Sequence, residues 1–353
     1  MAGRPGYRGG AGHHDRRFSR HRDDRRGDGR GERRGDHHGD ARLISLQVLT
    51  KVRDDDAYAN LVLPGLLEEA GLSRRDAGFA TALTYGALRL RGRYDAIVAH
   101  CVDRPLSRVD GVVLDLLRLG AHQLLGMRVP SHAAVSATVD LAVHSAGRGA
   151  ATFVNAVLRR VSERDLDAWL AVLRAEAPDA ASALAAVESH PRWMVKAMRQ
   201  ALLASGRSEE ELEALLRADN TEPRVVLCAR PGLISPESLA GEAEAAAHQE
   251  PRPGEVSPCA VVLAGGDPGR IRAVRDSRAG VEDEGSQLVA LMLSEAPVEG
   301  RDERWLDMCA GPGGKAALLG ARAAQRGARL VANEVAPHRA QLVEASVRAL
   351  PPD

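Results

Sequence analysis

The residues best suited to chemistry lie near the end of this 353-residue chain. Cys309-Ala310-Gly311-Pro312-Gly313-Gly314-Lys315 follows a short apolar run, Trp305-Leu306-Asp307-Met308, and opens a helical stretch, Ala316–Arg322. A strand that breaks into a glycine-rich turn and then a helix leaves backbone N–H groups without partners at the helix start, beside the positive end of its dipole. Such a place suits an anionic or polar ligand. Glycine lets the backbone turn tightly and lie against that ligand. A second strand, Arg329–Asn333, ends on Glu334. An acid at the tip of the second strand is placed to accept hydrogen bonds from ribose hydroxyls. Strand, glycine turn, helix, strand and acid form the start of a nucleoside-binding α/β unit.

Two commoner nucleotide motifs do not fit this turn. A P-loop needs Gly five positions before Gly314 and Ser or Thr after the Lys. Cys309 and Ala316 stand there, which argues against ATP or GTP. The dinucleotide pattern counted from Gly311 needs Gly at the position of Ala316, and fails. Asp307–Lys315 instead resembles the S-adenosylmethionine-binding motif of RNA 5-methylcytosine methyltransferases. Val281-Glu282-Asp283-Glu284-Gly285-Ser286-Gln287 resembles the segment that precedes that motif in the same family. Two stretches further upstream, Arg75–Arg89 and Phe153–Arg160, resemble the antitermination factor NusB. The pairing is typical of the bacterial 16S ribosomal RNA cytosine-5 methyltransferase family known as RsmB, Sun or Fmu. The resemblance spans residues 41–353.

The resemblance implies S-adenosyl-L-methionine as cofactor, with Cys309, Ala310, Gly311, Pro312, Gly313, Gly314, Lys315 and Glu334 as its binding residues. It implies 16S ribosomal RNA as partner and the cytoplasm as location. It also implies covalent chemistry. A cysteine thiolate adds to cytosine C6, C5 takes the methyl group, and a base removes the C5 proton. An activated thiol beside an acid is required. The family draws these from D-A-P-C and T-C motifs on later strands, and neither motif occurs in this sequence. No catalytic residue is therefore expected in it, and the chain reads as the N-terminal part of such an enzyme, with activity doubtful for these residues alone. Where the family continues Lys-Thr, this chain has Lys315-Ala316. The alternative is a non-catalytic, NusB-like RNA-binding factor in transcription or ribosome assembly.

Composition narrows the setting. Net charge is zero, but residues 1–40 carry 11 Arg and 7 acids, a net of +4, against 37 basic and 41 acidic residues in the remainder, a net of −4. Any RNA surface must then be a local patch. The four cysteines, Cys101, Cys228, Cys259 and Cys309, form no C-x-x-C pair, so no zinc site or disulfide framework is expected. No apolar run reaches membrane-spanning length; Val112–Met127 contains Asp115, Arg118 and His122. Neither a metal nor a membrane partner is expected, and composition leaves oligomeric state open.

The elements that must position the turn follow from periodicity. Residues 1–40, rich in Arg, Gly, Asp and His, read as a disordered tail. Its His13-His14 and His37-His38 pairs are weak metal candidates. Residues 41–162 read as an all-α bundle. Its stripes are Ile44/Val48/Val52, Phe79/Leu83/Ala87/Leu90, Val113/Leu117/Gly120/Leu124, Val135/Val139/Ala142 and Phe153/Val157/Val161. Ser73 and Asp76 suggest a capping box, and Pro130 is expected to end the third stripe. Residues 163–219 read as a helical connector broken at Ser189-His190-Pro191. His190 is expected to cap or pack, and Trp193 to join the core beside Met194 and Met198. Residues 220–280 read as a small α+β subdomain, for which the resemblance implies a ferredoxin-like module. Residues 281–353 read as the opening of a Rossmann-like methyltransferase domain, with an open sheet edge. Arg159, Arg160, Arg224 and Arg230 are candidate phosphate contacts.

Overall fold

A computed structural model describes residues 37–247 and 250–351. The Arg/Gly tail and the His13-His14 pair lie outside the described residues, as do the side chains of His37 and His38. The chain divides into two compact units, residues 1–220 and 221–353.

The first unit is all helical: α1 His37–Asp54, α2 Ala59–Ala70, α3 Arg74–Arg89, α4 Arg91–His100, α5 Gly111–Leu125, α6 Ser131–Ala146, α7 Arg148–Val161, α8 Leu166–Glu176, α9 Ala180–Val187, α10 Arg192–Ala204 and α11 Glu211–Asp219. α5 is the central helix: Leu116, Leu117, Leu119 and Ala121 are fully or almost fully buried on it. Asp110 starts it by accepting from the N–H groups of Val112 and Val113. Ser73 caps α3, accepting from Asp76 N at 3.2 Å and donating to the Asp76 carboxylate at 2.6 Å. Pro130 does not end α5, which stops at Leu125; it is the residue that leads into α6. Gly86 and Gly126 leave room for the His122 ring, where an added Cβ would fall 2.0 and 2.5 Å from ring atoms. Tyr94 Oη lies 2.7 Å from His122 Nδ1.

The apolar core of this unit does not stop at residue 162. Trp169, Leu173 and Val187 belong to the same buried cluster as Leu117 and Leu158. The Trp169 indole donates to Val161 O at 2.9 Å. Helices α8 and α9 therefore close the bundle. A second cluster, Val195, Leu212 and Leu216, joins α10 to α11. Trp193 is not in it; it is 67% exposed, against the expectation of a core role.

The second unit begins with β1 Val226–Ala229, α12 Pro236–Ala247, β2 Arg252–Pro253, β3 Ala260–Val262, α13 Arg272–Arg275 and β4 Ala279–Val281. The strands pair antiparallel in the order β2-β3-β1-β4. This βαββαβ arrangement is the ferredoxin-like topology. Leu227, Ala229, Val261 and Ala279 face the α12–α13 side with Leu239 and Ile271. α14 Glu284–Glu295, β5 Arg304–Asp307, α15 Gly314–Arg326, β6 Arg329–Ala332 and α16 Pro337–Val347 follow. β5 and β6 pair in parallel, Arg304 opposite Arg329 through Asp307 opposite Ala332. α15 is the crossover between them. Trp305 and Leu330 pack toward Ala290, Leu291, Leu318 and Leu319, whereas Leu306 and Val331 on the other face are exposed.

Candidate functional site

The glycine turn is built as a continuation of the β5–β6 ladder. Asn333 N donates to Asp307 O at 2.8 Å, and Ala310 N donates to Asn333 O at 2.9 Å. Asp307 Oδ1 accepts from Cys309 N at 3.1 Å, and Asn333 Nδ2 donates to Met308 O at 3.1 Å. These bonds carry the turn to the tip of β6, where Glu334 reaches back across it. Glu334 Oε2 accepts from Gly311 N at 3.1 Å, and Oε1 accepts from Ala336 N at 3.0 Å. Arg339 lies 3.6 Å from the same carboxylate and donates to Gly311 O. The Ala336 N–H, with Arg339 and the Gly311 N–H, holds the Glu334 carboxyl below its ordinary range.

Gly311 and Gly313 each have a steric reason. A Cβ on Gly311 would fall 2.2 Å from Glu334 Oε2. Gly313 has φ +113°, and a Cβ there would meet Ser346 at 2.7 Å. Gly313 is the N-cap of α15 and carries no side chain to cap it. The helix start therefore offers N–H donors to an external acceptor. The arrangement is an ionised acceptor beside a parallel-strand tip and an uncapped helix start. It suits a nucleoside with a polar tail.

The other expected site residues separate by role. Ala310 is buried and contributes its backbone. The Gly311–Pro312 peptide is cis, and Pro312 O accepts from Ser346 Oγ at 3.4 Å. Cys309 is exposed. Lys315 points to α14, with Nζ 3.2 Å from Ser286 Oγ. It ties the 281–287 segment to the turn.

That segment holds the residue the sequence reasoning missed. Three consecutive acids have three different surroundings. Asp283 caps α14 by accepting from Ser286 N at 3.0 Å. Glu284 accepts from the N–H groups of Glu255, Val256 and Ser257 at 3.2, 2.7 and 2.8 Å. Glu282 turns inward beneath Gly314; it is 8% exposed, and its Oε1 has no hydrogen-bond partner. Burial pushes its carboxyl up to about 7, against the pull of Lys315 and Arg230. The resemblance marked the segment, but nothing in the order Glu-Asp-Glu says which acid is buried.

The candidate phosphate contacts also divide. Arg230 is buried and donates to the carbonyls of Ser277 and Ser346, so it is structural. Arg224 is exposed. Arg160 donates to Cys101 O at 3.1 Å, and Arg159 to Asn155 Oδ1 at 3.2 Å, both on the surface of α7. His190 packs, with Nδ1 2.5 Å from Glu188 O. Among the described residues no group of three potential ligands could hold a metal ion, and no helix is long and apolar enough to cross a membrane.

Known proteins match both units. Residues 39–163 match the NusB family, and residues 293–353 match the family described as 16S rRNA methyltransferase RsmB/F. A Mycobacterium tuberculosis protein named "Putative methyltransferase Rv1407" is 48% identical over 88% of this chain and 66% of its own length. The Pseudomonas putida "Ribosomal RNA small subunit methyltransferase B" is 32% identical over 79% of this chain and 59% of its own. The chain thus spans just under two thirds of the first of these relatives and less of the second. A solved structure, "Crystal Structure of PH0851", has the same fold with a TM-score of 0.66 at 16% identity, covering 89% of this chain and 67% of that one.

Proposed function

We propose that this chain is a member of the RsmB/F family of 16S rRNA methyltransferases, with a NusB-family domain ahead of the methyltransferase segment, and that it engages 16S ribosomal RNA for S-adenosylmethionine-dependent methylation of cytosine C5. The observation that carries this reading is the Glu334 carboxylate held across the Gly311 turn at the tips of two parallel strands. The residues present fit the ribose and methionine ends of the cofactor. Glu334 is held ionised at the tip of the second strand, the position from which this reading has it accept from ribose hydroxyls. The N–H groups at the start of α15 suit the methionine carboxylate. Bound there, the cofactor supplies an electrophilic methyl group.

The residues of this chain bind and orient; none is assigned the covalent step. Cys101, Cys228 and Cys259 are buried. Burial pushes the Cys101 thiol up to about 11, which disfavours the nucleophilic thiolate. Cys309 is exposed but sits in the cofactor turn. The covalent step needs the thiol and acid of the D-A-P-C and T-C motifs, which residues 1–353 do not contain. A polypeptide of these residues alone is expected to bind without transferring.

The test is equilibrium dialysis of the purified chain with labelled S-adenosylmethionine, alongside filter binding to unmodified 16S RNA. Both should bind, and Glu334→Ala should weaken the cofactor and spare the RNA. RNA binding with no cofactor binding would replace the methyltransferase reading with that of an RNA-binding factor. Label transferred into the RNA would show that a cysteine present here performs the covalent step.

A further inference from the structure

The first unit exposes one tryptophan in a chain whose aromatic content is 3%. Trp193 stands in the first turn of α10. Trp169 by contrast is buried with its indole N–H bonded. Helical spacing puts Trp193, Lys196, Ala197 and Gln200 on one outward stripe, and all four are exposed. The opposite face, Val195 with Met198 and Leu202, packs on Leu212 and Leu216. Trp193 therefore contributes nothing to the cluster that holds α10 in place.

The charge on α10 itself is one-sided. α10 carries Arg192, Lys196 and Arg199 and no acid. Arg192 is tied to Asp179 at 2.5 Å and Arg199 to Glu209 at 2.5 Å. Lys196, on the tryptophan's own stripe, makes no ion pair among the described residues. The stripe thus offers an aromatic face, an ammonium group and a side-chain amide. An apolar protein contact would call for apolar neighbours around the tryptophan; the neighbours here are Lys196, Ala197 and Gln200.

We propose that this stripe of α10 is a single-stranded RNA contact, in which an unpaired base stacks on Trp193 and the adjoining phosphate meets Lys196. An indole face accepts any base, and a lysine one turn along tracks the backbone. The contact recognises unpaired rather than duplex RNA, because a base inside a helix has no free face. The inference rests on the RNA-engaging reading above and assigns it a site.

The experiment measures binding of the full chain to a short labelled single-stranded RNA and to the same sequence as a duplex. Trp193→Ala should weaken single-strand binding about tenfold and leave duplex binding nearly unchanged. Trp193→Phe, which keeps an aromatic face, should retain most of the affinity. Lys196→Ala should lower the salt dependence by about one phosphate contact. Thermal melting of both tryptophan variants should match the parent, since the side chain supports no core. A parent that binds RNA while Trp193→Ala binds it equally well overturns the site and leaves the RNA reading standing. A parent that binds neither RNA overturns both. A concentration-dependent self-association lost in Trp193→Ala, with RNA binding unchanged, assigns the stripe to a protein contact and also overturns the proposal.

Discussion

Replacing Glu282 with Gln should make the second unit more stable at alkaline pH and change little at acid pH. The buried carboxyl titrates near 7 in the folded chain, against an ordinary 4.5. The folded state thus holds a proton that the unfolded state releases. Its contribution is fully present below about pH 4.5 and is lost as pH rises through 7. Between pH 5 and pH 8.5 the wild-type chain should lose about 2.5 kcal/mol from this group, with about one pH unit of latitude in the folded value. Lys315, Arg230, Asp283 and the Cys228 thiol face the same carboxyl, and none of them changes charge in that window; Cys259, whose bond to Cys228 lowers its thiol to about 7, does, and is common to both proteins. Gln keeps the shape and cannot ionise. Trp305 is the tryptophan of residues 221–353, so its fluorescence reports this unit when Trp169 and Trp193 are both Phe. Urea melts in that background should show the loss with Glu282 and lack it with Gln, the difference between the two proteins growing with pH. An equal slope with pH in both proteins would refute the placement of Glu282 in a dry pocket beneath the turn.

The first unit should respond to pH in the opposite sense. Burial lowers the His122 pKa to about 4, so its neutral form is required, and stability should fall as pH drops from 6.5 through 4 in a far-UV melt. Leu117→Asp places an unpaired charge at the fully buried centre of α5 and should abolish the cooperative melt of this unit, a loss of roughly 4 kcal/mol or more. A fragment ending at residue 161 lacks Trp169, Leu173 and Val187, each worth roughly 2 kcal/mol of burial. It should melt well below a fragment of residues 37–220, as scanning calorimetry would show. Gly313→Ala forces a side chain into the left-handed region and against Ser346, and should cost the second unit about 1–3 kcal/mol in the Trp305 assay.

Much of the fold was legible because its elements punctuate themselves. The β5–turn–α15–β6 unit announces its limits with Asp307, the glycines and Glu334, and the observed bounds differ by a residue or two at most positions. What was hidden had weak local signals. β2 is Arg252–Pro253 and β4 is Ala279-Gly280-Val281; neither has length or alternation enough to read, and both exist because β3 and β1 pair with them. α2 contains Pro64, and α4 begins Arg91-Gly92-Arg93, and neither carries one of the five apolar stripes read from the sequence. Trp193 was placed in the core by its neighbours in sequence, yet it sits about 100° around the helix from Met194, and phase outranks proximity. At the site, the acid at the strand tip and the glycine positions were readable. The inward turn of Glu282 was not, because burial there depends on the packing of β4 and α14 against the start of α15.

The central claim is that the turn and Glu334 form a nucleoside site of the S-adenosylmethionine type, and amide NMR of the labelled chain tests it most directly. Titration with S-adenosylhomocysteine should shift the Gly311, Gly313, Gly314 and Lys315 amides together with the Glu334 backbone, and ATP at equal concentration should not. Glu334→Gln should weaken the response while leaving amides of the first unit unmoved. Shifts confined to other residues, or an equal response to ATP, would contradict the assignment.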